Sequence, residues 1–291
     1  MGSMNGHSHQ QEVTRGERFE FGKNWQHFLS VLDEDRIRVA ERSVLDLLRR
    51  DSLANTRFLD IGSGSGLFSL AARRLGASVT SFDYDPASVA CTQELRSRYF
   101  PNDQSWRVLE GSVLDESFVR SLGSFDVVYS WGVLHHTGDM WRALDLARVP
   151  VAANGQLVVA IYNDQGLPSQ LWRAVKVTYN RSPVPVRGVV LAAALAYFES
   201  QASVARLLRG ENPLPFWRSR TYGAKRGMSA WHDVVDWVGG YPFEVARPEA
   251  IFDFFRARGF TLERLKTCGG KLGCNEFAFR RSAGSVAPTP E

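Results

Sequence analysis

Hydrophobic and polar positions fall into blocks with two different periods. Over residues 17–50, apolar side chains recur at helical spacing: Phe19, Phe21, Trp25, Phe28, Leu29, Val31 and Leu32, then Ile37, Val39, Val44, Leu45, Leu47 and Leu48. Gly22 and the acidic run Asp33-Glu34-Asp35 divide this stretch into two or three helices. Phe58 to Ile61 is then a short apolar run broken only by Asp60, and a helical pattern (Leu67, Phe68, Leu70, Ala71, Ala72, Leu75) follows directly. Further strands are predicted at Ala77–Asp83, Trp106–Gly111, Phe125–Gly132 and Gly155–Tyr162. Helices are predicted between them at Pro86–Tyr99, Glu116–Ser121 and Asp139–Val149. The fourth strand is apolar almost throughout, as a strand buried on both faces requires. Strands alternating with helices from Thr56 to Tyr162 imply one parallel sheet with helices on both faces.

The alternation then stops. Residues 163–246 are too long for an ordinary connection. They carry helical spacing over Ser169–Tyr179 and Val186–Arg209, then a part rich in Trp, Tyr and Gly from Pro213 to Pro242. The chain returns to a core pattern with an amphipathic helix, Glu249–Arg258, closed by Gly259. Two strands end it, Leu262–Thr267 and Glu276–Arg280, joined by a glycine-rich loop. The organisation expected is a polar, disordered tail (1–16), N-terminal helices (17–53), a core (54–162 and 247–281), a helical insertion (163–246) and a second disordered tail (282–291).

Between the first strand and its helix stand Gly62, Gly64 and Gly66, with Asp60 two residues before the first of them. Such glycines let backbone approach a ligand closely, and the helix N-terminus behind them offers free N–H groups. A dinucleotide site prefers a third glycine where this chain has Leu67. Asp83 ends the second strand, where a carboxylate accepts two vicinal ribose hydroxyls at once. Asp85, before Pro86, is placed to cap the next helix. The fourth strand runs into Trp131-Gly132-Val133-Leu134-His135-His136-Thr137, at the sheet edge where ligands of parallel sheets bind.

The acid-x-G-x-G-x-G spacing, the loop after strand four and the final hairpin resemble the class I (Rossmann-like) S-adenosylmethionine-dependent methyltransferase superfamily. The likeness covers about 54–162 and 247–281 and carries nothing about the acceptor. It implies an α/β fold: a doubly wound, seven-stranded, mostly parallel sheet with an antiparallel last strand, here with a mainly helical insertion or cap after strand five. It implies S-adenosyl-L-methionine as donor and S-adenosyl-L-homocysteine as product. Donor contacts then fall to Asp60, Gly62, Gly64, Gly66, Asp83 and Trp131, with adenine in the loop of Ser112, Val113 and Asp115. Many relatives have an acid where this chain has Ser112. Asp115 fits either that role or an N-cap for the following helix.

Composition narrows the partners. The 44% hydrophobic and 23% charged fractions are those of a globular protein. A net charge of +4, without a long basic run, argues against nucleic acid as a partner. Cys91, Cys268 and Cys274 have no metal-ligand spacing and read as reduced thiols of a cytoplasmic protein. The longest apolar run, Val189–Phe198, is too short to span a bilayer, and no signal peptide is expected.

For chemistry, His135 and His136 sit where a donor's methyl group would emerge, and histidine is the usual general base near neutral pH. They fit a catalytic role or a role in shaping the loop. Five of the eight tryptophans lie in the insertion or the N-terminal helices. Aromatics there suit an enclosed acceptor pocket or a self-packed appendage equally. Trp25, Tyr162, Asn163, Trp231 and Tyr241 are the acceptor-side candidates. Strand four lacks the Asn/Asp-Pro-Pro-aromatic motif of amino-group DNA methyltransferases, and no cysteine in the core loops offers a thiolate nucleophile. The expectation is a small-molecule or glycan-like acceptor methylated at oxygen. The alternatives are transfer or cyclisation of another part of the donor, and a nucleoside-binding scaffold without turnover. The sequence leaves oligomeric state open.

Overall fold

The computed structural model describes residues 9–212 and 230–283, with the side chains at 23, 27, 230–233 and 236 outside the description. The chain opens with α1 (His9–Thr14), α2 (Phe21–Ser30) and α3 (Glu34–Leu48). The core follows as β1 (Arg57–Ile61), α4 (Leu67–Arg74), β2 (Ser78–Asp83), α5 (Pro86–Tyr99), β3 (Trp106–Glu110), α6 (Glu116–Ser121), β4 (Phe125–Trp131), a single 3-10 turn (Leu134–His136), α7 (Met140–Ala147) and β5 (Val151–Tyr162). Then come α8 (Leu167–Arg181), α9 (Val184–Leu207) and α10 (Ala230–Gly239), and finally α11 (Pro248–Arg256), β6 (Phe260–Lys266) and β7 (Cys274–Arg281).

The seven strands form one sheet in the order β3-β2-β1-β4-β5-β7-β6. β7 is inserted antiparallel between β5 and β6, with Ala160 opposite Glu276. The parallel strands read outward from β1 in two directions, so the switch point lies between β1 and β4. Successive residues of a strand face opposite sides, and the two cores obey this. Leu59, Ile61 and Val128 pack with Leu144, Phe255 and Phe279 on one face. Phe58, Val127 and Tyr129 pack with Leu48, Leu70 and Trp106 on the other. Aspartates start the helices: Asp33, Asp85, Asp115 and Asp139 each accept a backbone N–H from the first turn.

Three expectations need correction. The N-terminal tail is structured from residue 9: α1 buries His9, whose ring packs edge-on against Tyr84 at 5.5 Å, with Nε2 3.8 Å from the Asp85 carboxylate. The fifth strand starts at Val151 rather than Gly155, because Phe125 pairs with Val151 ahead of a register shift in the ladder. The apolar run Val189–Phe198 lies inside α9, whose 24 residues are long and apolar enough to cross a membrane by length and composition. A run of uncharged residues underestimates such a helix when alanines and an isolated charge extend it.

The insertion builds its own small core. Tyr179, Ala194, Val234 and Val238 are buried together, with Trp172, Leu195, Phe198 and Trp237 packed against them and Phe19 reaching in from the N-terminal segment. Lys176 is fully buried there, over the faces of Trp237 and Phe243, and donates to the Trp237 carbonyl.

Candidate active site

A cavity of about 1020 Å³ opens over the C-terminal ends of β1, β2 and β4. One end is made of backbone turns and carboxylates. Gly62 and Gly64 have φ of +75° and +54°. A side chain at Gly62 would place its Cβ 2.3 Å from Val133, and one at Gly64 would come 3.1 Å from the Trp25 indole nitrogen. These two positions therefore require glycine on both backbone and space grounds. Gly66 does not line the cavity; a Cβ there would come 2.9 Å from Thr92 of α5, so the missing side chain lets the start of α4 pack closely on α5.

Asp60 is buried and accepts from Ser69 Oγ at 2.5 Å, and Ser69 is linked through Ser81 to the Trp106 indole. Burial pushes its pKa up to about 7, against the Ser69 hydrogen bond and with help from the nearby Asp83 charge. Asp83 accepts from the amides of Gly64 (2.8 Å) and Asp85 (2.9 Å), so it holds the glycine turn against β2. Burial pushes it up to about 6, with those amide bonds opposing. Asp85 caps α5 through the Ala87 amide and also accepts from Gly22 N at 2.8 Å, which docks α2 onto the same loop.

Gly111, Ser112, Val113 and Leu114 form the next stretch of wall. Asp115 does not: it is exposed, caps α6 through Phe118 N and accepts from Ser117 Oγ. Trp131, His136 and Tyr162 line the middle. His136 Nδ1 lies 2.6 Å from the Pro242 carbonyl, which can only accept. Nδ1 therefore carries the proton and Nε2 is the ring's acceptor. Burial lowers the His136 pKa to about 3, the Pro242 carbonyl opposing, so the ring is neutral throughout the physiological range. Arg18 holds this loop by donating to the His136 and Thr137 carbonyls, with Glu12 as its ion-pair partner.

His135 stands behind the wall. It is fully buried, its ring centroid 4.0 Å from that of Tyr162 at a 40° tilt, without a well-formed hydrogen bond at either ring nitrogen. Burial drives its pKa well down, and the neighbouring His136 and Lys176 add to this. It has no access to the cavity, so the catalytic expectation for His135 is withdrawn.

The other end of the cavity is aromatic. Phe19, Phe21, Trp25 and Phe28 come from the N-terminal helices and the segment before them, and Leu195, Phe198, Val234 and Trp237 from the insertion. Trp25 and Tyr162 are where the sequence places them. Asn163 is not at the wall; it accepts from Asn275 Nδ2 at 3.0 Å and pairs in a bridge with Ala246. Tyr241 is also away from it, its carbonyl accepting from Phe19 N. The Trp231 side chain lies outside the described residues. Phe198, Trp237 and Arg18 were missed. Phe198 and Trp237 carry a signal only as members of helical apolar patterns, and Arg18 carries none.

Residues 59–157 match a family model described as a methyltransferase domain. A ubiquinone biosynthesis O-methyltransferase of Caulobacter sp. (strain K31) is 30% identical over 146 residues, covering 46% of this chain and 54% of that protein. A ribosomal protein L11 methyltransferase of Prochlorococcus marinus is 50% identical over 85 residues, covering 29% and 28%. The chain thus spans about half or less of these relatives. Magnesium protoporphyrin IX methyltransferase from Synechocystis PCC 6803 shares the fold with a TM-score of 0.51 at 14% identity, over 89% of this chain and 94% of that one. An O-methyltransferase family protein from Burkholderia thailandensis does so with 0.51 and 14%, over 85% and 57%. With an antiparallel strand lodged between β5 and β6 and the matched segment running from β1 to β5, residues 59–157 form a methyltransferase domain within a sheet that has the fold of the class I, Rossmann-like S-adenosylmethionine-dependent methyltransferases.

Proposed function

We propose that this protein transfers a methyl group from S-adenosyl-L-methionine to a hydroxyl of a small molecule, releasing S-adenosyl-L-homocysteine. The observation that carries the reading is the single cavity with two unlike ends. Its volume stands at the top of the range of about 300–1,000 Å³ for pockets holding one drug-sized ligand, so it suits a donor and an acceptor together. The Gly62–Gly64 cradle leaves room that a side chain would fill, which fits the donor's close approach to backbone. Asp83 stands at the end of β2 with each oxygen already accepting one amide and a further lone pair on each for ribose hydroxyls. Ser112 and Val113 fit the adenine, and Trp131 with Asp60 fits the cationic centre.

The donor supplies an activated methyl carbon when bound. The chain's own part is then placement and exclusion of water. His136 is neutral, its tautomer set by the Pro242 carbonyl, and its Nε2 can accept the acceptor's O–H. With so low a pKa it orients the hydroxyl and directs an oxygen lone pair at the methyl carbon, rather than removing the proton beforehand. The C–O bond formed would replace the donor's sulfur–carbon bond, and Nε2 would receive the hydroxyl proton and pass it to solvent. The relatives named for ubiquinone biosynthesis are O-methyltransferases, which supports oxygen as the acceptor atom.

The test is incubation of the protein with methyl-labelled donor and an extract of its host, followed by mass spectrometry. A labelled product that resists acid hydrolysis as an aryl or alkyl methyl ether supports the reading. Label on nitrogen, or donor consumed with no methylated product, contradicts it.

A further inference from the structure

The outer side of the insertion is apolar over an area where the rest of the surface is charged. Along α9, Val189 (69% exposed), Val204 and Leu207 face outward, and Leu208 (84%) follows at its end, while α8 adds Leu167 and Leu171. No charged residue occurs from Gly188 to Phe198. Only 6% of the most apolar 18-residue window of α9 is buried. The inner side of the same helix is also apolar: Leu195, Phe198 and Ala202 line the cavity. A helix that is apolar all round belongs in a protein core or in lipid, and α9 has a core on one side alone. It is a wall one helix thick between the acceptor end of the cavity and the outside.

Charge is segregated on the same part of the chain. Residues 165–229 hold ten Lys and Arg against two acids, Glu199 and Glu211. The whole chain is only +4, so the remainder is net negative. Cations flank the apolar stretch: Arg173 and Arg181 are exposed on α8 before it, and Arg206 and Arg209 follow it, Arg209 beside Glu211 at 3.4 Å. Arg187 turns inward instead, donating to the Ser182 and Asn180 carbonyls. An apolar strip between cations complements an anionic membrane surface, where the strip leaves water and the cations meet headgroups. α9 is held along one side, where its buried Ala194 packs in a cluster with Trp172 and Trp237, so it can lie in the interface without leaving its partners.

We propose that the α8–α9 face seats on an anionic lipid bilayer, and that the acceptor enters the cavity from that bilayer. The acceptor is then an amphiphile, with its hydroxyl on a polar head and an apolar tail that remains against α9. The substrate class rests on the methyltransferase reading above; the docking does not.

The experiment is flotation of the full chain with vesicles of phosphatidylcholine alone or with phosphatidylglycerol, beside calorimetric titration of S-adenosyl-L-methionine on the same samples. The wild type floats with the phosphatidylglycerol vesicles, and less in high salt or with phosphatidylcholine alone. The double variant Val189→Glu/Val204→Glu, at two outward positions away from the cavity, loses about tenfold or more of this binding. Its circular dichroism and donor affinity stay unchanged. Absence of flotation, or equal flotation of the variant, overturns the docking. So does a wild-type dimer that the variant dissolves in sedimentation, because the face is then covered by a second copy. Donor binding without flotation sinks the docking alone, whereas loss of donor binding in the wild type sinks the methyltransferase reading whatever the vesicles show.

Discussion

The two ends of the cavity are built by opposite means. The glycine end is backbone: the turn at Gly62 and Gly64, amides held by Asp83, and a loop at Ser112 and Val113, all from the strand ends of one sheet. The aromatic end is side chain, gathered from α2, α9 and α10, which are far apart in sequence. Burial also acts on them with opposite sign. It raises the carboxylates Asp60 and Asp83 to about 7 and about 6, and lowers His136 to about 3. The acids at the glycine end are therefore poised to titrate near neutrality, and the His136 ring is not. On the proposed reading, the comparison places donor recognition in the fold itself and acceptor recognition in what is laid over it.

The sharpest way to break the comparison is Gly62→Val. A β-branched residue at φ +75°, with its Cβ 2.3 Å from Val133, distorts the turn. Donor affinity measured by calorimetry should fall at least about a hundredfold, roughly 3 kcal/mol, while the circular dichroism of the helices survives. Near-native binding would leave the turn structural only. Asp83→Ala comes next. Loss of charge-assisted bonds to two hydroxyls should cost about 2–3 kcal/mol of donor binding. Because Asp83 also holds the Gly64 amide, a modest fall in melting temperature should accompany it. Unchanged affinity would move the ribose contact elsewhere.

The pH dependence follows from the same residues. A cationic donor with hydroxyls for Asp83 favours the ionised carboxylates, so binding below their raised pKa values must first release protons. Donor affinity should therefore rise with pH, by up to about a hundredfold per unit below about 6 where both acids must ionise, by up to about tenfold per unit between about 6 and about 7, and level off above. A titration flat from about pH 5 to about pH 8 would contradict the burial of these two acids. His136 adds nothing to this profile, since its pKa lies below the window.

The smallest effect is expected at the aromatic end. Phe198→Ala removes a ring that lines the cavity and stacks on Trp172 at 5.3 Å. Turnover of the acceptor should fall about tenfold while donor affinity stays within error. Equal loss of both, with a large drop in melting temperature, would make the insertion a structural support rather than an acceptor pocket.

The same division explains what could be read from the residues alone. The sheet is written locally: apolar runs give strands, Asp85 and Pro86 start α5, and three alternate glycines mark the first turn. Gly62, Gly64 and Asp83 were legible as cavity residues because a positive-φ turn calls for glycine and an acid ending β2 stands beside that turn. Asp115 was open between two roles that both need an exposed acid near a helix start, and the capping bond to Phe118 N decides it. His135 was misplaced because a pair of histidines does not show which ring the 3-10 turn aims at the cavity and which it packs against Tyr162. Phe198 and Trp237 were hidden because a helical apolar pattern looks the same whether it faces a core or a ligand. Tyr241 and Asn163 were named for their place in the chain; Asn163 fastens the start of the insertion to β7, and Tyr241 ties its end to the N-terminal segment at Phe19.

One measurement bears most directly on the division between a fold-built donor end and a cap-built acceptor end. It is calorimetric titration of S-adenosyl-L-homocysteine into the wild type, Gly62→Val and Phe198→Ala. The account predicts one site per chain in the wild type, the same site at nearly unchanged affinity in Phe198→Ala, and none in Gly62→Val. Binding that survives Gly62→Val and is lost in Phe198→Ala would contradict it.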